Sequence, residues 1–208
     1  FEVDGNMSSA RASYFHKSIG GYHAAKPRRM QQLFDYQIAK NNMEVLDMLN
    51  VKYVIQTDKE GKQIPTLNPQ HNGNAWFVQK VKFVQTADGE MESLSKIPTK
   101  EVAIVNQREF GNLLQKSDFV KDTLSTITLQ KCEPNHLKYT STSTNDALAV
   151  FSEMYYADGW NAYIDGTKTP HLRADYVLRA LPIPAGKHVV EFKFEPQVVQ
   201  TGSTISLA

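Results

Sequence analysis

Hydrophobic and polar positions alternate most regularly between Asn145 and Pro196, where the alternation also agrees with turn chemistry. Val190, Phe192 and Phe194 fall on one side of an extended segment, and Val189, Glu191, Lys193 and Glu195 on the other. That period of two predicts a strand with one buried face. Upstream, Trp160–Ile164 leads into Asp165-Gly166, a pair that supplies the positive φ angles of a tight hairpin. Pro184-Ala-Gly186 marks a second turn. Ala147–Tyr156 is almost continuously apolar, as expected of a strand covered on both faces. Strand-like runs near residues 124, 138, 148, 160, 172, 177 and 188 recur at a spacing that predicts a small antiparallel sandwich.

The first half of the chain has a different rhythm. Residues 1–23 read as irregular, with Gly5, Gly20 and Gly21 breaking any period. Pro27 suits the first turn of a helix carrying Met30, Leu33, Phe34, Gln37 and Ile38. Asn41 or Asn42 can cap a second helix through Leu49, followed by a short strand over Val51–Ile55. The polar stretch from Gln56 to Ala75 reads as a loop, Trp76–Val84 as one strand and Thr86–Ser95 as a short helix. Glu101–Val105 is another strand, and Arg108–Gln115 a helical turn. The expectation is an α+β protein in two parts. Residues 1–122 form a mixed α/β part with short helices and a small sheet, and residues 123–208 an antiparallel β-sandwich, Ig-like or jelly-roll-like.

Composition narrows the function. The 208 residues carry a formal charge of +1, which gives no general electrostatic reason to expect nucleic acid. Cys132 is the single cysteine, so no internal disulfide can form and the compartment stays open. No apolar run reaches the length of about 18 residues needed to span a bilayer. The closing run Gly202–Ala208, small and uncharged, reads either as the start of a helix that continues into something apolar or as a frayed terminus.

Several short segments together resemble a known family. They are Leu49–Ile55, Phe151–Tyr156, Gly159-Trp160, Tyr163–Gly166, Pro184–His188 and Phe194–Pro196, in that order and spacing. The combination is similar to the YfhO-like bacterial membrane proteins, and more narrowly to the soluble part that follows the multi-spanning region in Bacteroidetes-type members. Members of that family are similar to polytopic glycosyltransferases that take sugar from a polyprenyl-phosphate carrier outside the membrane. The resemblance implies an extracytoplasmic piece, periplasmic or cell-surface, with a transmembrane helix resuming near residue 202. It also implies that the catalytic acids belong to loops between upstream membrane helices, so no catalytic residue is carried over to this chain.

Two constellations are candidates for ligand contact. The basic-aromatic segment from Arg11 to Arg29 contains Tyr14, His16, Tyr22, His23 and Arg28, and could hold a phosphate or carboxylate of a lipid or carrier headgroup. The same residues also read as a solvated basic surface. On the sandwich, Tyr156, Trp160 and Tyr163 with Arg173 and Asp175 could stack and orient a sugar, although strand aromatics at period two equally read as core. His16 and His23 have no recognised ligand spacing, and no metal or cofactor is expected. No Gly-x-Ser-x-Gly elbow or phosphate-binding glycine pattern occurs, and Glu153, Asp158, Asp165 and Asp175 cannot be paired into an acid/base dyad from sequence. The leading expectation is a non-catalytic domain that helps position a glycan acceptor or a polyprenyl-phosphate-sugar headgroup, with the parent's own transmembrane region as partner. The alternatives are a carbohydrate-binding module and a structural cap without ligand.

Overall fold

The computed structural model describes residues 1–5, 9–22, 25–120 and 123–206, without the side chains of 200 and 203–206. Two sheets face each other across an apolar core. The first has five strands in the order β10-β9-β13-β7-β6, all antiparallel. These are β6 (Thr126–Glu133), β7 (His136–Ser143), β9 (Trp160–Ile164), β10 (Thr167–Thr169) and β13 (Gly186–Phe194). The second has six, in the order β3-β8-β12-β11-β5-β4. Its members are β3 (Ala75–Val78), β4 (Lys80–Val84), β5 (Val102–Asn106), β8 (Ala147–Met154), β11 (Leu172–Ala174) and β12 (Leu178–Ile183).

The alternation read from the sequence explains which sides meet. Val190 and Phe192 of β13 pack with Leu137 and Tyr139 of β7 against Ala149 and Phe151 of β8 and Leu181 of β12. The rings of Tyr139, Phe151 and Phe192 meet edge to face at 4.9–6.3 Å. β8 is covered on both faces, because Leu148 and Val150 belong to a second core built with helices. Those helices are α2 (Arg28–Tyr36) and α3 (Met43–Met48), contributing Met30, Leu33, Val45 and Met48. A 3₁₀ turn, Ile38–Lys40, joins them. The result is an α+β protein whose six-stranded sheet is sandwiched between a second sheet and a helical layer.

The segment expected as one strand over Trp76–Val84 is broken at the exposed Gln79. Its first half, β3, pairs with β8, and its second half, β4, pairs with β5. Since β3 and β4 stand at opposite ends of the strand order yet are one residue apart in the chain, the sheet curls back on itself. β4 and β5 run parallel, as a crossover through α4 (Ala87–Ser93) requires. Thr86 caps α4, its hydroxyl accepting from the Gly89 amide at 3.1 Å. The same sheet draws β3, β4 and β5 from before residue 122 and β8, β11 and β12 from after it.

The short strand expected over Val51–Ile55 is present as β1 (Tyr53–Thr57), and the polar stretch expected as a loop supplies its hairpin partner, β2 (Gln63–Leu67). That partner escapes a periodicity test because β2 buries no face. Asp165-Gly166 turns as expected, with φ of 49° and 81°. The Asp165 carboxylate accepts the Val189 amide at 2.8 Å and meets His188 Nδ1 at 2.6 Å, which holds the Asp165 pKa below and the His188 pKa above their ordinary values. Two short helices, α1 (Arg11–Phe15) and α5 (Gln107–Phe110), and the helix α6 (Gln197–Ser206) complete the chain.

Candidate functional site

The basic-aromatic segment forms an exposed strap across a groove. Its helix α1 buries no residue, and Tyr14 and Phe15 stand 82% and 72% exposed with their rings edge to face. Downstream, Ile19 anchors the strap on the helical core, and Lys17 Nζ approaches Cys132 Sγ at 3.4 Å. Two adjoining hollows of about 830 and 760 Å³ share His16, Lys17, Ile19, Leu49 and Glu153 in their walls, so the strap bridges one groove. Glu153 lies half-buried on its floor, where burial raises its pKa against the opposing pull of Arg179 and Lys17.

The strap and the start of α6 share one pole of the sandwich. Cys132 lies next to the β6–β7 turn, His136 pairs in register with Lys193, and the Phe194 amide donates to Asn135 O at 3.0 Å. There α6 begins, with Val198 and Val199 exposed.

The structure distributes the expected anion-binding residues unevenly. Arg11, Tyr14, His16, Tyr22 and Arg28 are exposed on the strap or on the first turn of α2. His23 lies outside the described residues. Arg29 turns inward, away from any shared anion site with Arg28. Its Nη1 is 3.3 Å from Glu90 Oε2 and donates to Tyr176 O at 3.2 Å, and its guanidinium covers the Tyr176 ring at 4.5 Å.

The aromatic and charged residues considered for sugar stacking divide between the surface and the interior. Tyr156 is exposed after β8. Trp160 is half-buried between the Arg179 guanidinium, 4.0 Å from its ring centroid, and Phe194 at 5.4 Å. Gly159, at φ 147°, permits this packing, because a Cβ there would meet Phe194 at 2.5 Å. Tyr163 donates to Glu195 Oε2 at 2.7 Å, beside Asn161, in a hollow of about 510 Å³. Arg173 and Asp175 are buried elsewhere.

Arg173 joins Arg29 in an ion network. Its Nη2 lies 2.7 Å from Glu109 Oε1 and 3.5 Å from Glu90 Oε2. Burial works against the Arg173 charge, but the bonds to Glu109 and Glu90 hold its pKa above the ordinary value. Asp175, wholly buried, accepts the Ile104 amide at 2.8 Å, and burial pushes its carboxyl up to about 7. Both Asp175 and Tyr176 adopt left-handed backbone, at φ 48° and 71°. Arg179 is close in sequence to the residues expected to contact a sugar but is not one of them. It is buried, its Nε donates to Met154 O at 2.8 Å, and among the described residues no carboxylate reaches ion-pair distance. Burial brings its pKa down to about 10 and that of neighbouring His171 to about 4. Its sequence signal is a charge inside the apolar run Val177–Leu181.

Residues 101–206, about half of the chain, match the family described as bacterial membrane protein YfhO. The chain belongs to the YfhO family. No curated protein and no solved structure matches it. The matched region spans β5 to α6 and so takes in the whole five-stranded sheet, the strands β5, β8, β11 and β12 of the six-stranded one, and Arg173, Asp175 and Arg179. The strap and α2 precede it. Among the described residues of this YfhO-family protein no helix is long and apolar enough to cross a membrane.

Proposed function

We propose that the chain is a non-catalytic domain on the extracytoplasmic side of an integral membrane protein, and that it helps position a glycan acceptor or the headgroup of a polyprenyl-phosphate-linked sugar. The observation that carries this reading is the strap. It presents Arg11, Lys17 and the exposed rings of Tyr14 and Phe15 above a partly apolar groove, at the pole where α6 departs. Aromatic rings of this kind settle at the level of lipid headgroups, and each basic side chain near an anionic surface contributes about 1 kcal/mol. Family membership supports a membrane-embedded parent.

The test is flotation of the chain with phosphatidylcholine vesicles, alone or containing polyprenyl phosphate or phosphatidylglycerol. Binding to the polyprenyl-phosphate vesicles is expected, weakened about tenfold or more by Arg11→Glu with Arg28→Glu, and by raised salt. Equal binding to phosphatidylglycerol would assign the strap to anionic bilayer lipid and remove the carrier headgroup. Absence of binding, or binding indifferent to charge reversal, would overturn the strap as a headgroup contact.

A further inference from the structure

A second cleft lies apart from the strap, between the α2–α3 helices and α4, with a volume of about 860 Å³. That volume is within the range of about 300–1,000 Å³ usual for small-ligand clefts. Its walls are fastened together from within. Gln37 Nε2 donates to Met91 O at 2.6 Å, and Asn42 Nδ2 donates both to Gln37 Oε1 at 2.8 Å and to Leu94 O at 3.1 Å. These buried or half-buried amides, spent on the protein itself, staple one helical wall to the other and leave the cleft preformed. At its inner end Tyr176 donates to Gln32 Oε1 at 2.8 Å while Arg29 covers its ring. Two consecutive non-glycine residues in left-handed backbone hold it there, at a cost of order 1–2 kcal/mol each.

The groups at the rim have a definite chemistry. Tyr36 is 55% exposed, an aromatic surface at the mouth. Asn41 stands beside it, itself in left-handed conformation at φ 60°, and Asp88 and Glu92 face the cleft from α4. The lining carries one lysine, Lys40, its Nζ 5.7 Å from the Tyr36 ring centroid, against three carboxylates, Glu44, Asp88 and Glu92, a formal charge of −2, with Lys96 outside the lining paired to Glu92 Oε1 at 2.6 Å. An anionic headgroup is therefore repelled from this cleft, in contrast to the strap. A ring with donor and acceptor side chains around it suits a molecule with an apolar face and a rim of hydroxyls.

We infer that this cleft is a binding site for an uncharged sugar unit of a glycan, with Tyr36 as stacking surface and Asn41, Asp88 and Glu92 as hydroxyl partners. The inference deepens the reading that the domain positions a glycan, and it separates glycan from carrier: the sugar goes to the amide-stapled cleft, the phosphate to the strap.

The test is a titration of the isotope-labelled chain with neutral oligosaccharides of glucose, mannose and N-acetylglucosamine, followed by amide shifts, with hexose phosphates as charged controls. At least one neutral series is expected to move resonances of residues 32–44 and 88–95. Tyr36→Ala and Asp88→Ala weaken that binding about tenfold, or 1.4 kcal/mol, whereas Tyr36→Phe and the strap change Tyr14→Ala leave it intact. Both positions are exposed, and an unchanged melting curve establishes that the variants fold. Shifts elsewhere, no shifts at all, or tighter binding of a hexose phosphate than of the neutral sugar would overturn the inference. Vesicle binding by the strap should persist in Tyr36→Ala, so the two sites fail or stand separately.

Discussion

Arg173 and Arg179 face each other in register across β11 and β12, both buried, and the protein treats them in opposite ways. Like charges directly opposite on neighbouring strands repel, so the pair needs an explanation. Arg173 is neutralised by Glu90 and Glu109, which arrive on α4 and α5, the two helices that flank β5. Arg179 receives no carboxylate among the described residues and lies instead between the faces of Trp160 and Phe192, at 4.0 and 5.1 Å. The difference teaches what each holds. The Arg173 network ties α2, α4 and α5 to the sheet, whereas Arg179 closes one end of the sandwich core with an aromatic lid.

The largest expected effect comes from Glu90, a fully buried carboxylate shared by Arg29 and Arg173. Glu90→Ala leaves two guanidiniums with the half-exposed Glu109 alone, and should cost about 3–5 kcal/mol in urea unfolding. A loss under about 1 kcal/mol would mean that the network is ornamental.

The contrast itself is sharpened by matched substitutions. Arg173→Met strips Glu90 and Glu109 of a partner and should destabilise by at least about 2 kcal/mol more than Arg179→Met. Arg179→Met orphans no carboxylate, and the lost cation–π contact is offset by relief of desolvation, so its change should stay within about 1 kcal/mol of zero. Equal losses would erase the distinction between the two sites.

A smaller effect appears in the pH dependence. The folded Asp175 carboxyl titrates at about 7, above its ordinary 3.8. Between these values the folded state holds a proton that the unfolded state has lost, so this group makes stability fall as pH rises, by at most about 1.4 kcal/mol per unit. His171 works the other way. Its folded pKa of about 4 lies below 6.5, so the unfolded state binds the extra proton and stability rises with pH across that window. The two slopes offset each other from about pH 4 to 6.5. Asp175→Asn, which keeps an acceptor for the Ile104 amide, should expose the rising slope, and His171→Gln the falling one, in melts from pH 4 to 7.

Legibility followed the burial pattern. β13 and β8 could be read directly, because a strand with one wet face alternates and a strand with none runs apolar; Val190, Phe192 and the Leu148–Phe151 stretch behave in that way. The Asp165-Gly166 turn could be read because its backbone angles favour those residues. The strand β2, which pairs with β1, could not, since it has almost no apolar face to leave a period. Nor could the partition of Trp76–Val84 between β8 and β5, because the pattern of a strand does not say where it bends or what it pairs with. At the candidate sites, the exposed strap was visible as a cluster of basic and aromatic residues. Arg28 and Arg29 looked alike in sequence, and only the helix phase against Glu90 separates one solvated arginine from one half-buried and paired with Glu90. The cleft at Tyr36 had no linear signature, because its walls come from α2 to α3 and from α4, about fifty residues apart.

Placement outside the cytoplasm can be tested on the side chain best suited to report it. Cys132 is the chain's only cysteine, exposed and adjoining the strap. In spheroplasts expressing the parent protein, a membrane-impermeant maleimide should modify Cys132 without lysis, and a Cys132→Ser variant should lose that label. Labelling of Cys132 only after the membrane is broken would contradict an extracytoplasmic domain.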